Sequence, residues 1–429
     1  MNDRVMIIGG GGREHALAWH LDQSPHIEEI SVAPGNAGTR QHWENVQIDV
    51  EDVEGQVAYA QKRQTDLVII GPDASVAAGT ADACIRAGID CFGPTKGAGE
   101  LEWSNTFADD FMEQYGIPKA KTFYGTNQMT HANSFIDTHN FEDYIIRAEG
   151  LADGKGVLVP KSAAEARKFI HELMIERRFG DAGNFVMFQE RLFGEELSVF
   201  ALCDGEKAIL LPHCRDHKRL NDDDKGPNTG GMGVFAPVTG LDPDLTRQIE
   251  AQIIEPTLQG IAEKGHPYKG VLYVGIMLTA DGPKVIEYNA RFGDPETQAL
   301  MLLMDEDLYP RLKQVARGEL SAEPIKTRDG FAVTVALSAA GYPGKPRRGD
   351  EIYGLELAEE LARNETYIFH GATKKDPTTG RVVTNGGRVL HIASYGETLA
   401  IARQRAYQAI GTNAIHFAGN HSRQDIAEL

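Results

Sequence analysis

Short apolar runs alternate with helical segments in the first part of the chain, and this alternation constrains the fold more than any other feature. Apolar runs cover residues 5–8, 30–33, 67–70 and 91–92, and a helical pattern covers residues 14–22. Strands that recur between helices form βαβ units, so we predict a parallel sheet. Ligands of such sheets bind beyond the carboxyl ends of the strands. Three of these ends carry polar, glycine-rich loops, namely GGGGREH, APGNAGT and GPDASVAAG.

The rest of the chain divides into two further regions of different pattern. At 429 residues the chain exceeds what one hydrophobic core usually covers. The middle of the chain mixes helical segments with strands and two conspicuous polar loops. The last part begins with an apolar, strand-like run and continues with short strands between glycine turns. We therefore predict an α/β region over residues 1–103, an α+β core over 104–328 and a small β-rich region over 329–429.

Composition and charge exclude several classes of protein. The formal net charge is −19, from 43 basic and 62 acidic residues, whereas a nucleic-acid binder needs a basic surface. No apolar signal core precedes the first strand, and the apolar runs are too short to cross a bilayer. The four cysteines form no C-x-x-C pair and are expected to be reduced thiols. We expect a cytoplasmic protein without nucleic-acid or membrane partners.

The N-terminal glycine loop is a candidate anion site. Residues 9–12 are glycines between a strand and a helix, which places unpaired N–H groups at a helix N-terminus. A dinucleotide is disfavoured, because Glu14 stands at the third glycine position and no acid follows the second strand. We expect a single phosphate here. The alternative is a tight turn that needs the glycines only for backbone geometry.

A second glycine loop, RAEGLADGKGV, spans residues 147–157 between two strands. It nearly matches the Walker pattern, but Gly156 replaces the Ser or Thr and no helix follows. The pattern favours a hairpin-like flap that covers a triphosphate with backbone N–H groups and the charge of Lys155. The alternative is an exposed hairpin without a ligand.

The polar loop over residues 213–234 is a candidate substrate site. Asp216 can accept from an amine, and Lys218 and Arg219 can hold carboxylate or phosphate. Nearby glycines allow close backbone approach. Zinc binding by His213 and His217 is disfavoured, because the flanking residues argue against the helix that would bring them to one face. The alternative is a solvated surface loop.

The segment over residues 284–298, KVIEYNARFGDPETQ, is a candidate metal site. Its alternation predicts a strand on which Glu287 and Asn289 share a face. A carboxylate and an amide oxygen are hard ligands suited to magnesium. Arg291 follows at the same spacing and could stabilise charge on a transferring phosphoryl group. The alternative is a strand with a polar, solvated face.

Taken together, these motifs resemble the phosphoribosylamine–glycine ligase (glycinamide ribonucleotide synthetase) family over essentially the whole chain. The resemblance is carried, in order, by GGGGREHALAW, APGNAGT, GPDA, EGLADGKGV, DHKR, GPNTGGMG, EYNARFGDPETQ and TNGGRVL. It implies a Rossmann-like N-domain over 1–103, an ATP-grasp core of two α+β lobes over 104–328 and a C-terminal β-rich hybrid domain over 329–429. It also implies a monomer.

The resemblance implies an ATP-dependent ligase of purine biosynthesis that joins glycine to 5-phosphoribosylamine through glycyl phosphate, with Mg²⁺ or Mn²⁺ held by Glu287 and Asn289. The catalytic residues would be Arg291, Asp216, Lys218 and Arg219. The ATP-binding residues would be Arg147, Glu149, Gly150, Leu151, Gly154, Lys155, Gly156, Val157, Glu190, Leu192 and Glu196. The substrate-binding residues would be Gly10, Gly11, Gly12, Arg13, Glu14, Asn36, Gly38, Pro72, Asp73, Asn228, Thr229, Gly230, Gly231 and Gly233.

The chain departs from the family pattern near the expected nucleotide. Asn105 and Arg147 stand where the family usually has lysines that meet ATP phosphates, and Gln189 and Arg215 replace a usual Glu and Gln. Two alternatives follow, an ATP-grasp paralogue with another substrate and a non-catalytic binding homologue. The intact metal strand opposes the second alternative.

Overall fold

The computed structural model describes residues 2–150 and 156–428. Its first region contains, in chain order, β1 (Asp3–Gly9), α1 (Gly12–Leu21), β2 (Ile27–Pro34), α2 (Thr39–His42), β3 (Glu44–Asn45), α3 (Val53–Arg63), β4 (Leu67–Ile70), α4 (Asp73–Ala78), α5 (Thr80–Arg86), β5 (Asp90–Phe92) and α6 (Lys96–Trp103). The strands form one parallel sheet in the order β3-β2-β1-β4-β5. Strand β4 is buried along its whole length, as expected for a parallel strand covered on both faces.

The middle region contains two antiparallel sheets that face a common cavity. Its elements are α7 (Asn105–Gln114), β6 (Thr122–Thr126), α8 (Met129–Thr138), β7 (Tyr144–Ala148), β8 (Val157–Leu158), α9 (Ala163–Met174), β9 (Val186–Glu190), β10 (Glu195–Asp204), β11 (Ala208–Leu210), β12 (Arg215–Asp216), β13 (Arg219–Asn221), β14 (Lys225–Asn228), β15 (Gly233–Ala236), α10 (Pro243–Ile249), α11 (Glu255–Glu263), β16 (Lys269–Thr279), β17 (Gly282–Asn289), α12 (Glu296–Leu303) and α13 (Leu308–Arg317). One sheet has the order β6-β9-β7-β8 and the other β11-β10-β16-β17.

The last region adds β18 (Phe331–Ser338), β19 (Ile352–Tyr353), α14 (Ala358–Ala362), β20 (Thr366–His370), β21 (Thr373–Lys375), β22 (Val382–Thr384), β23 (Arg388–Gly396), α15 (Leu399–Gln408) and β24 (His416–Phe417). Its main sheet has the order β12-β15-β18-β23-β20 and therefore takes two strands from the middle of the chain. Those two strands flank the polar loop of residues 217–232. The last region is thus built directly onto one of the predicted substrate loops.

The cores of the regions are continuous with one another. One cluster of buried side chains joins β1 and α1 to β10, β16, α12 and α13. A separate, smaller cluster fills the lobe between α8, α9 and the sheet that carries β7. Within the described residues, the four cysteines are buried and free. In that same part of the chain, no helix has the length and apolarity needed to cross a membrane.

Candidate active site

A cavity of about 1060 Å³ lies between the first region, both middle sheets and the last region. We call it the central cavity. Many of the residues singled out from the sequence line it, although they are distant in the chain. They are Arg13, Asp73, Arg147, Gly150, Gly156, Val157, Glu190, Leu192, Glu196, Asp216, Lys218, Arg219, Asn228, Thr229, Gly230, Glu287, Asn289 and Arg291.

The remaining predicted residues fall into two groups. Leu151, Gly154 and Lys155 lie outside the described residues. The others are not among the residues that line the cavity, and they are Gly10, Gly11, Gly12, Glu14, Asn36, Gly38, Pro72, Glu149, Gly231 and Gly233. Several of this second group make packing contacts or hydrogen bonds within the protein.

The N-terminal glycine loop is such a case, because two of the N–H groups at the start of α1 already have acceptors within the protein. The Gly11 N–H donates to the Glu14 carboxylate at 2.6 Å, and the Arg13 N–H donates to the Asp294 carboxylate at 3.2 Å. A side chain at Gly10 would come 2.7 Å from the Gly35 carbonyl oxygen. The anion at this helix N-terminus is therefore the protein's own carboxylate.

Asn36 and Gly38 join this loop to the last region. The Asn36 side-chain amide donates to the carbonyl oxygens of Gly10 at 3.0 Å and His370 at 2.7 Å, and its oxygen accepts from the Gly38 N–H at 2.8 Å. All three partners are backbone groups of the protein. Asn36 therefore holds the loop in place, and its contact with a substrate stays a prediction. Pro72 immediately precedes α4. Asp73, the first residue of that helix, lines the cavity.

Strand β17 places its polar residues as the spacing predicts. Glu287 and Asn289 both face the central cavity, and Arg291 follows them there. The Lys218 ammonium lies 2.9 Å from Glu287 Oε1, and Arg291 Nη2 donates to Asn289 Oδ1 at 2.9 Å. The charge of Lys218 lowers the pKa of Glu287 to about 2, so the carboxylate is ionised at neutral pH.

Asp216 and Lys218 both line the central cavity, and their surroundings shift both pKa values upward. Burial, together with the nearby Glu296 carboxylate, raises the pKa of Asp216 well above its usual range. Asp216 Oδ1 is buried and has no hydrogen-bond partner among the described residues. The pKa of Lys218 is raised by Glu287, Tyr273 and the other surrounding acids, although burial acts in the opposite sense. A buried carboxylate oxygen without a donor is a favourable place for a cationic ligand group.

Strands β7 and β8 pair as a hairpin, so the flap geometry predicted for residues 147–157 is observed at its base. Arg147 is buried and lines the cavity, where Nη1 donates to Asn105 Oδ1 at 3.3 Å. Glu149 points elsewhere, since its carboxylate accepts from Ser104 Oγ at 2.7 Å and from the Thr106 N–H at 2.9 Å. We therefore assign Glu149 to capping α7, where it anchors the first arm of the flap.

Gln189, His213 and His217 have hydrogen bonds or burial that the structure describes. Gln189 donates to Asp109 Oδ1 at 3.2 Å, so its amide belongs to the wall of the cavity. His217 Nδ1 lies 3.2 Å from the Gly233 carbonyl oxygen, and burial lowers the pKa of His213 to about 4. Among the described residues, no group of three or more His, Cys, Asp and Glu side chains could hold a metal ion.

The structure adds cavity residues that the sequence did not single out. The clearest are Glu102, from the last turn of α6, and Arg388, from the start of β23. Arg388 donates to the carbonyl oxygens of Gly230 at 2.6 Å and Gly231 at 3.2 Å, and also to the carbonyl of Asp294. It thereby joins the polar loop to the segment after β17. The only sequence signal for Arg388 was its place in TNGGRVL, and Glu102 had none.

Comparison with known proteins agrees with this architecture. Three models of phosphoribosylglycinamide synthetase match, namely the N domain over residues 3–102, the ATP-grasp (A) domain over 103–297 and the C domain over 332–429.

The chain belongs to the phosphoribosylglycinamide synthetase family. It is 44% identical to the phosphoribosylamine–glycine ligase of Caulobacter vibrioides, over 98% of this chain and 97% of that protein. It is also 44% identical to the trifunctional purine biosynthetic protein adenosine-3 of Gallus gallus, of which it spans only 42%.

Solved structures give the same result. The crystal structure of phosphoribosylamine–glycine ligase from Thermotoga maritima has a TM-score of 0.84 at 36% identity, and it covers 99% of this chain and 100% of that one. A biotin carboxylase from Campylobacter jejuni has a TM-score of 0.70 at 13% identity, over 100% of this chain and 94% of that one, which shows a shared fold alone. The predicted α/β and α+β architecture with an ATP-grasp core is confirmed.

Proposed function

We propose that this chain is an ATP-dependent phosphoribosylamine–glycine ligase of purine biosynthesis, which forms glycinamide ribonucleotide, ADP and phosphate. The observation that carries the proposal is the meeting of Glu287, Asn289 and Arg291 with Lys218 and Asp216 in one cavity of an ATP-grasp fold. The relative from Caulobacter vibrioides, which matches over nearly its whole length, bears the name of this ligase.

A divalent metal fits the residues of β17. Glu287 supplies an ionised carboxylate and Asn289 an amide oxygen, two residues apart on the same side of a strand. Both oxygens already attract cationic side chains, because Lys218 and Arg291 each lie 2.9 Å from one of them. We propose that Mg²⁺ or Mn²⁺, when bound here, neutralises charge on the nucleotide phosphates.

The first chemical step would take place beside Arg291 and Lys218. A glycine carboxylate oxygen attacks the γ-phosphorus of ATP, the bond from that phosphorus to the bridging oxygen breaks, and ADP leaves. Negative charge develops on the transferring group, and fixed cations that already face the cavity stabilise it without reorganisation. Arg219 donates to the Gly226 carbonyl oxygen at 3.0 Å, and it supplies a further positive charge to the lining of the cavity.

The second step joins the amine to the acyl group. The amine nitrogen of phosphoribosylamine attacks the carbonyl carbon of glycyl phosphate, the carbon–oxygen bond to phosphate breaks, and the nitrogen loses a proton. We propose that Asp216 Oδ1 binds the glycine ammonium during both steps, because that buried oxygen lacks a donor among the described residues. Asn228, Thr229 and Gly230 line the same side of the cavity and would contact the substrates. Arg13 and Asp73 would contact the phosphosugar from the first region.

The nucleotide would lie between the two middle sheets. Gly150, Gly156 and Val157 line the cavity at the base of the flap, and Arg147 brings a buried cation beside them. Glu190, Leu192 and Glu196, from the end of β9 to the start of β10, also line the cavity. We further propose a monomer that acts in the cytoplasm.

An isotope experiment tests the proposed chemistry directly. Glycine labelled with ¹⁸O in its carboxylate is supplied with ATP, magnesium and freshly generated phosphoribosylamine, and the released phosphate is examined by mass spectrometry. A glycyl phosphate intermediate transfers one labelled oxygen to each phosphate. Unlabelled phosphate with product formation would exclude that intermediate. The absence of glycinamide ribonucleotide from a folded protein would contradict the proposed function itself.

A further inference from the structure

Glu102 is a buried carboxylate at the junction between the first region and the ATP-grasp core. It lies on the last turn of α6, and its side chain is only 5% exposed. Despite this burial it lines the central cavity. A buried carboxylate is costly unless it is paired and hydrogen-bonded, so its position calls for a physical reason.

Both oxygens of Glu102 contact the segment that follows β17. Oε1 lies 3.0 Å from Arg291 Nη2, and Oε2 accepts from the Ala290 N–H at 2.7 Å. Ala290 stands between Asn289 and Arg291. A single carboxylate therefore holds both the backbone between these two residues and the guanidinium of the second.

The contacts of Arg291 leave its other donors for a ligand. Nη2 is shared between Asn289 Oδ1 at 2.9 Å and Glu102 Oε1, and Nη1 donates to the Phe292 carbonyl oxygen at 3.2 Å. A guanidinium has five N–H donors in a rigid fork. Within the described residues, the Nε–H and the second Nη1–H make no hydrogen bond. Glu102 thus fixes the plane of the fork while part of it still faces the cavity.

We propose that Glu102 is a positioning residue of the ligase reaction, which holds Arg291 in the orientation that meets the transferring phosphoryl group. The inference rests on the proposed function, because it assigns that contact to Arg291. It adds a role for the first region, because the Glu102 carboxylate orients Arg291 of the ATP-grasp core. The geometry requires a charged, two-oxygen acceptor, which glutamate supplies and glutamine supplies only in part.

The electrostatic surroundings of Glu102 make its charge sensitive to the environment. Burial raises the pKa of Glu102 to about 7, against the opposing effect of Arg291. The Asp73 carboxylate acts in the same sense as burial, and Arg13 acts with Arg291. Because only the ionised form accepts fully from both Arg291 and Ala290, the neutral isostere Glu102→Gln isolates the charge.

The test compares Glu102→Gln, Glu102→Asp and Glu102→Ala with Glu100→Gln, a matched control on the same helix. We expect Glu102→Gln to lower kcat by about 10- to 100-fold, because a misplaced catalytic group costs rate at that scale. The KM values for ATP and glycine should change by less than about threefold. Glu102→Asp keeps the charge and should recover part of the loss, and Glu100→Gln should match the unaltered protein. Circular dichroism and ATP titration check that each variant is folded.

A double-mutant cycle with Arg291→Lys shows whether Glu102 acts through Arg291. A lysine cannot keep the fork, so Glu102→Gln should lower kcat by less than about threefold in that background. Full additivity of the two changes would overturn the inference, and so would a Glu102→Gln variant with unchanged kcat. Either result, with an active unaltered protein, leaves the proposed function in place. An inactive unaltered protein would instead refute the proposed function.

Discussion

Replacement of Arg388 by alanine is the sharpest test of how the last region shapes the site. The Arg388 side chain, 19% exposed, lies 3.5 Å from the Asp294 carboxylate and donates to three backbone carbonyls. Breaking a buried charged pair by removing one partner costs about 3–5 kcal/mol. Asp294 keeps the Arg13 N–H and the Gln298 side-chain amide as donors, each at 3.2 Å, so we expect a loss of about 3 kcal/mol in the free energy of unfolding.

Thermal and urea unfolding measure this loss, and Arg381→Ala is the matched control. At roughly 2–4 °C per kcal/mol, Arg388→Ala should lower Tm by roughly 6–12 °C. Arg381 pairs with Glu351 but is 61% exposed, so its removal should cost less than about 1 kcal/mol. If Arg388→Ala lowered the free energy of unfolding by no more than the control does, the stabilising role of Arg388 would be refuted.

Arg388→Ala should also raise the KM for glycine. Gly231, whose carbonyl accepts from Arg388, packs so closely on Asp216 that an added Cβ would lie 2.8 Å from Asp216 Oδ1. A loosened loop therefore disturbs the carboxylate that we assign to the glycine ammonium. An unchanged KM for glycine, measured under conditions where the variant is folded, would show that Arg388 does not influence the position of Asp216.

Three further predictions follow from the same structure. Gly12→Ala would press a methyl group against the His391 ring and should lower the free energy of unfolding by about 1–3 kcal/mol. If the loop were instead an open phosphate site, the substitution would raise only the KM for phosphoribosylamine. Arg147→Gln should weaken ATP binding by about 10- to 100-fold by calorimetry, because a charged hydrogen bond to phosphate is lost; unchanged affinity would remove Arg147 from the nucleotide site. Since the pKa of Glu102 is raised to about 7, its carboxylate is protonated and its pairing with Arg291 is lost as pH falls through 7. The kcat should therefore fall from pH 8 to pH 6 in the unaltered protein, and this part of the profile should be flat in Glu102→Gln.

The sequence predicted those parts of the site that depend on local spacing. Glu287, Asn289 and Arg291 share a face because side chains alternate along a strand, and this holds wherever the strand packs. The pairing of β7 with β8 followed from a glycine loop between two strand-like runs. The parallel pairing of the first sheet followed from the alternation of strands and helices, although its strand order did not.

Long-range packing decided what the sequence could not predict. Glu102 accepts from the Ala290 N–H, 188 positions away in the chain, and pairs with the neighbouring Arg291. No local pattern distinguishes Glu102 from a solvated acid. In the sequence, the glycines at residues 10–12 look the same whether the space beside them is needed by a ligand or by other parts of the protein. Only the contacts with Asp294 and Gly35 show that the protein fills it.

The central claim is that this cavity couples ATP cleavage to the joining of glycine and phosphoribosylamine. The most direct measurement is ADP release by the purified protein with magnesium-ATP, glycine and freshly generated phosphoribosylamine, with each component omitted in turn. We predict ADP formation that requires both glycine and the amine. ADP formation that is independent of either one, or no turnover by a protein shown to be folded, would contradict the account.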